Sequence, residues 1–154
     1  MFTGLIRDRA AVVDLDQTGR GGALRVVLER PSAWHDLRLG DSIALNGCCL
    51  TIAQMSSETL DFELTQETRN LTQFDGLTRG ARLHVERALQ VGDRLDGHLV
   101  SGHVDGLARF AGRRDQVGGS AFRFSASAEL LAMLPVKGSV CVDGGSLTIT
   151  CCDP

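Results

Sequence analysis

Two seven-residue stretches carry the polar groups with the most chemical promise. Asn46-Gly47-Cys48-Cys49-Leu50-Thr51-Ile52 returns as Asp143-Gly144-Gly145-Ser146-Leu147-Thr148-Ile149. Strand alternation puts Cys48, Leu50 and Ile52 on one side and Cys49 and Thr51 on the other, and Leu147 and Ile149 likewise oppose Ser146 and Thr148. Small hydroxyl and thiol groups beside backbone amides suit a flat ligand rich in acceptors, because they add hydrogen bonds without filling space. Read singly, Asn-Gly and Asp-Gly are hairpin turn residues and the Ser and Thr merely face solvent. The recurrence of the same polar pair tips the balance toward a ligand.

The remaining reactive side chains are scattered. His98 and His103 stand five apart, on opposite faces if the segment is a strand, which disfavours a shared metal. His103 shares a face with Ser101 and suits a proton carrier or hydrogen-bond donor, whereas His35 and His84 read as structural. Asp105, Glu63 and Glu67 lie within reach of polar faces, and Lys137 precedes the second motif, where it suits an anionic or carbonyl-rich ligand. Five cysteines, an odd count with two adjacent pairs and no C-x-x-C, fit neither a disulfide framework nor a zinc site and read as reduced thiols. Phosphate-loop, Rossmann, zincin and hydrolase motifs are absent from the sequence.

What must position these groups is a set of short strands. Leu24, Val26 and Leu28 share a face, as do Leu60, Phe62 and Leu64, and Phe122 with Phe124. Helical signals are confined to Pro31 to Leu37, Glu67 to Leu71, and a stretch after Ser127 that Pro135 stops. With 18 glycines in 154 residues, this pattern predicts an all-β sandwich or barrel. The apolar share of 43% and a net charge of -3 with mixed signs exclude a basic nucleic-acid footprint. The absence of Tyr and the single Trp34 argue against a stacking platform for single strands. No run reaches the roughly 18 apolar residues of a membrane helix, and MFTGLIRDRA is not a secretory signal, so a cytoplasmic location is expected.

The repeat has a period near 97. Phe2-Thr3-Gly4-Leu5 matches Val100-Ser101-Gly102-His103, and the interval from Gly4 to Gly47 is 43 residues against 42 from Gly102 to Gly144. Two anchors in register divide the chain into related units, residues 1–96 and 97–154. The first copy runs on to about Leu89, whereas the second stops soon after Thr148. The second unit is therefore expected to be incomplete, with exposed apolar faces and open strand edges.

MFTG at 1–4, NGCCLT at 46–51, ETRNLT at 67–72, GHLVSGHVDG at 97–106 and DGGSLT at 143–148 resemble the alpha-type riboflavin synthases, in the right order and over essentially the whole chain. The resemblance implies tandem six-stranded antiparallel Greek-key barrels, the second truncated here, and a C-terminal helix that makes the family homotrimeric. It implies a transferase of riboflavin biosynthesis that dismutates two 6,7-dimethyl-8-ribityllumazine molecules to riboflavin and 5-amino-6-ribitylaminouracil, with no cofactor or metal.

Carried over by motif, the first-barrel ligand contacts are Gly4, Leu5, Ile6, Cys49, Leu50, Thr51, Glu63, Leu64, Thr65, Gln66, Glu67 and Thr68. The second-barrel contacts are Gly102, His103, Val104, Lys137, Ser146, Leu147 and Thr148, with Phe2 aligning the ring system. Cys49, His103 and Ser146 are the expected catalytic residues, and the reacting pair sits between barrels of neighbouring subunits.

Asp96 departs from the family's Gly, and the second copy has no counterpart of the ETRNLT ligand segment or the trimerisation helix. The resemblance therefore implies that a complete synthase extends further and that catalysis by this shortened chain is weak or absent. A non-catalytic lumazine- or riboflavin-binding protein of the same fold is the alternative. Those binders have lost the histidine and threonine kept here as His103 and Thr148, which favours enzyme ancestry.

Overall fold

The computed structural model describes residues 1–17 and 22–153. Six strands close into an antiparallel barrel: β1 (Asp8–Asp16), β2 (Leu24–Glu29), β3 (Ser42–Leu45), β4 (Cys48–Met55), β5 (Thr59–Leu64) and β6 (Arg82–Arg87). Their order around the barrel is β1-β2-β5-β4-β3-β6, and β6 returns to pair with β1. Strands β3, β4 and β5 follow one another by hairpins while β2 lies beside β5, so this is a Greek key. Closure leaves no free edge.

Alternation builds the core as the sequence predicts. Val26, Leu28, Ile43, Ile52, Leu60, Phe62 and Val85 are buried together inside the barrel. Asp61 is the exception, buried at 6% exposure next to Leu60 and Phe62, and it is tolerated because Arg25, two strand positions from its partner Val27, grips its carboxylate. A short helix, α1 (Gln66–Leu71), follows β5, capped by the Thr65 hydroxyl, which accepts from the Thr68 N–H at 3.2 Å. The expected helical turns at Pro31 to Leu37 are turns and bends instead. There the Trp34 carbonyl accepts from the Arg30 guanidinium, and the Trp34 indole N–H donates to Asp8 at 3.0 Å. These side-chain bonds replace a helix's own ladder.

The second half contributes β7 (Arg109–Gln116), β8 (Gly119–Ser125), α2 (Ala128–Ala132), β9 (Ser139–Val142) and β10 (Gly145–Thr148). Ser127 caps α2 through the Leu130 N–H, as its sequence suggests. Among the described residues these strands form two separate two-stranded sheets, β7 with β8 and β9 with β10. Phe110 is 57% exposed and Phe122 46%, so the apolar face of the first hairpin is uncovered.

Candidate functional site

Both polar motifs sit at two-residue hairpin turns. Asn46 (φ 45°) and Gly47 (φ 83°) link β3 to β4, and Asp143 (φ 51°) and Gly144 (φ 87°) link β9 to β10. Left-handed φ at both central positions is what such hairpins require. The two turns also meet back to back. A Cβ on Gly47 would stand 2.8 Å from the Gly144 nitrogen, and one on Gly144 would stand 3.0 Å from the Gly47 nitrogen. Turn chemistry and repeat pairing are thus two consequences of the same residues.

Around this contact the halves exchange their N-terminal segments. The Cys49 N–H donates to the Gly102 carbonyl at 2.8 Å, and the equivalent Ser146 N–H donates to the Gly4 carbonyl at 2.7 Å. A methyl group on Gly102 would fall 2.6 Å from Cys49 Cβ, and one on Gly4 would fall 2.8 Å from Ser146 Cβ. Gly4 therefore lies against the second half's motif, and Ile6 Cδ1 approaches Gly144. Reciprocally, Gly102 lies against the first half's motif, and Val104 packs on the first barrel's core. The sequence grouping, which gave Gly4, Leu5 and Ile6 to the first-barrel contacts and Gly102, His103 and Val104 to the second, is crossed in space. A period-97 repeat reveals equivalence, not which copy each strap covers.

Within β4 the predicted faces hold: Cys48, Leu50 and Ile52 are buried, Cys49 is half-buried and Thr51 exposed. Glu63, Thr65, Gln66 and Glu67 are exposed beside them along β5 and α1, with Thr68 half-buried. Leu50 and Leu64 turn their side chains into the barrel core, which leaves only their backbone to meet a ligand. Phe2 differs from expectation more sharply. It is 0% exposed and packed with Ala44 and Val100, so its ring joins the two halves instead of lying against a ring system.

In β10 the faces do not separate. Leu147 is 36% exposed and Thr148 is exposed, while Ser146 is half-buried, because no described strand covers the apolar side. Lys137 is exposed at φ 68°, its N–H donating to the Ile149 carbonyl at 2.7 Å.

The histidines are arranged differently from the sequence reading. His103 is exposed, its backbone N–H donating to the Ser101 hydroxyl at 3.2 Å. It is His98 whose Nδ1 lies 2.7 Å from the Ser146 Oγ, in a half-buried hydrogen bond. Segment 98–103 is irregular apart from the bridge of Val100 to Phe2, so strand alternation does not apply to it. The repeat gives no signal for the pair: at the offset of 98 that matches Phe2 with Val100, Met1 falls opposite Leu99 and His98 has no partner position in the first copy. His84 donates from Nδ1 to the Asp143 carbonyl at 2.9 Å and ties the barrel to the second turn, the structural role its sequence suggests. Asp105 lines, with Asn70, Leu71 and Glu129, a cleft of about 350 Å³ that touches neither motif.

Among the described residues, no three His, Cys, Asp or Glu side chains converge to hold a metal ion, and no helix is long and apolar enough to cross a membrane. All five cysteines are free thiols. Burial, with a smaller contribution from Cys49, pushes the Cys48 thiol up to about 11. Since the thiolate is the nucleophile, iodoacetamide at pH 8 is expected to alkylate Cys48 more slowly in the folded chain than in the urea-unfolded chain, as peptide mass spectrometry would read. The unfolded chain loses the Cys48 proton near the ordinary 9.0 and the folded chain near 11. This contribution to stability is intact below pH 9 and is lost as pH rises toward 11, on the order of 2 to 3 kcal/mol in all.

A closed Greek-key barrel whose polar hairpin motif is clasped by a repeat of itself defines the lumazine-binding class. Residues 3–88 match the family described as Lumazine binding domain. The riboflavin synthase of Bacillus amyloliquefaciens is 37% identical over 97% of this chain and 68% of its own length. That of Brucella abortus is 36% identical, over 97% of this chain and 75% of its own. The crystal structure of LumP complexed with riboflavin superposes with a TM-score of 0.83 at 18% identity, covering 96% of this chain and 79% of that one. The chain belongs to the riboflavin synthase family.

Proposed function

We propose that the chain is a riboflavin synthase-type transferase of the cytoplasm that holds two 6,7-dimethyl-8-ribityllumazine molecules and passes a four-carbon unit from one to the other. Residues 1–96 and 97–154 are its two lumazine-binding units, and the working assembly is a homotrimer in which units of neighbouring subunits face each other. The observation that carries this reading is the crossed pair of bonds, Cys49 N–H to Gly102 and Ser146 N–H to Gly4. Two equivalent motifs of one fold stand ready for two copies of one substrate.

Such a reaction gains chiefly from orientation, since well-placed reactants lower a barrier by roughly 7 to 11 kcal/mol. Cys49, Thr51, Glu63 and residues 65–68 at the start of α1, with Gly102, His103 and Val104 from the other copy's strap, form one cradle. Ser146, Leu147, Thr148 and Lys137, with Gly4, Leu5 and Ile6, form the other. The cradles differ where chemistry needs them to. Ser146 bears a hydroxyl hydrogen-bonded to His98, an arrangement able to pass a proton to or from a bound lumazine, while its equivalent Cys49 bears a thiol.

Titration with lumazine or riboflavin, read by quenching of ligand fluorescence, tests the binding step. Folded protein that binds neither ligand at high micromolar concentration would refute the reading. Thr51→Val is expected to weaken binding by about 1 to 3 kcal/mol by leaving a ligand acceptor unpaired. Thr59→Val, whose hydroxyl bonds Ser56 in a remote turn, should leave affinity unchanged.

A further inference from the structure

One carboxylate grips the segment on which the His98–Ser146 pair depends. Glu86, half-buried in β6 opposite Ala44, accepts three bonds from the N-terminal strap. Its Oε1 takes the Thr3 N–H at 2.7 Å and the Thr3 hydroxyl at 2.6 Å, and its Oε2 takes the Gly4 N–H at 3.1 Å. The dipeptide held in this way turns both its carbonyls on the second half. Thr3 accepts from the His98 N–H at 3.1 Å, and Gly4 accepts from the Ser146 N–H at 2.7 Å. These are the backbones of the two residues whose side chains meet.

We propose that Glu86 is a positioning residue that sets the geometry of the His98–Ser146 pair from across the molecule. The chemical use of that pair rests on the proposed function, but its positioning does not. Bonds to a charged acceptor are stronger than neutral ones, so three of them fix the strap firmly. The strap in turn has no slack toward its partners. A Cβ on Gly97 would collide with the Thr3 carbonyl oxygen, and one on Gly4 would lie 2.8 Å from Ser146 Cβ. Close-packed contacts transmit displacement instead of absorbing it, so a strap that moves carries His98 and Ser146 with it.

Glu86→Gln isolates this role. Each oxygen of Glu86 faces a backbone N–H, so whichever way the glutamine amide turns, its NH2 confronts a donor. In the 15N-labelled chain at one fixed pH, long-range proton–nitrogen spectra report the imidazole nitrogens, with His98 assigned by His98→Gln. Ser146→Ala supplies the signature of a broken pair. Glu86→Gln is expected to move the His98 Nδ1 resonance in the same direction as Ser146→Ala while leaving exposed His35 in place. A folded Glu86→Gln chain whose His98 nitrogens coincide with the parent's would overturn the proposal.

If that variant does not fold, amide exchange in the parent chain decides. Thr3, Gly4, His98 and Ser146 are expected to exchange as one protected group. Thr3 and Gly4 exchanging more than about tenfold faster than His98 and Ser146 would show that the strap does not hold the pair. None of these readouts uses lumazine, so a failure to bind lumazine would sink the proposed function and leave this inference to its own spectra.

Discussion

Replacing Phe2 with alanine is expected to cost about 3 to 5 kcal/mol of stability, the range for truncating a fully buried aromatic ring. The ring is 0% exposed, and its neighbours come from both halves: Ala44 of β3, and Val100 with half-buried Cys141 beyond it. Its Cε2 would stand 3.0 Å from a Cβ on Gly102, so the wall on that side is backbone. Backbone cannot easily collapse into the void, because Phe2 and Val100 exchange bonds of 2.8 and 3.0 Å that fix their separation. Urea unfolding followed by Trp34 fluorescence, which reports the first barrel, would measure the loss. Phe122→Ala, at an exposed position, serves as the control and should change little. A loss for Phe2→Ala below about 1 kcal/mol, typical of a substitution away from the core, would mean that the clasp rests on backbone bonds alone.

Phe2 also marks the boundary of what the sequence makes legible. Along β4 and β5 most environments are set by strand alternation, a local property, and the faces of Cys48 to Ile52 and of Leu60 to Leu64 follow from it directly except at Asp61, which is buried against Arg25. The repeat extends that legibility to the turns, since Asn46-Gly47 and Asp143-Gly144 carry the same left-handed geometry. Alternation says nothing about which copy a strap lies on. Phe2 is apolar at the edge of a motif that resembles ligand contacts, and only the Val100 bridge makes it core.

His98 fails for the same reason. Its partner Ser146 is 48 residues away, and the segment between His98 and His103 is too irregular for any period to aim its side chains. Glu86 is one more charged residue at the end of an alternating strand until Thr3 and Gly4 are seen to donate to it. Alternation assigns the faces of β10 as it does those of β4, but a face is buried only when something covers it. Leu147, equivalent to buried Leu50, is 36% exposed.

That open face governs the second large effect: the 154-residue polypeptide, produced by itself, is expected to bind lumazine but to form riboflavin far more slowly than the Bacillus amyloliquefaciens riboflavin synthase. The first cradle stands on a closed barrel whose strands are all paired. The second stands on β9 and β10, a two-stranded sheet, with β7 and β8 forming another, and an isolated two-stranded hairpin is marginally stable at best in water. Ser146 is still held through Gly4 and His98, but the side chains of Thr148 and Lys137 are exposed.

Dismutation needs both lumazines held in a near-attack geometry, and a misplacement of about 1 Å can cost on the order of a hundredfold in rate. A cradle with one firm wall therefore binds without orienting. The same exposed Phe110, Phe122 and Leu147 should make the polypeptide associate as its concentration rises, which light scattering would detect. Single-turnover mixing with 6,7-dimethyl-8-ribityllumazine, followed at the riboflavin absorbance band, is the deciding measurement. A rate matching that of the Bacillus amyloliquefaciens riboflavin synthase would mean that β9, β10 and the Thr3–Gly4 strap orient the second lumazine unaided, and that the firm wall is sufficient.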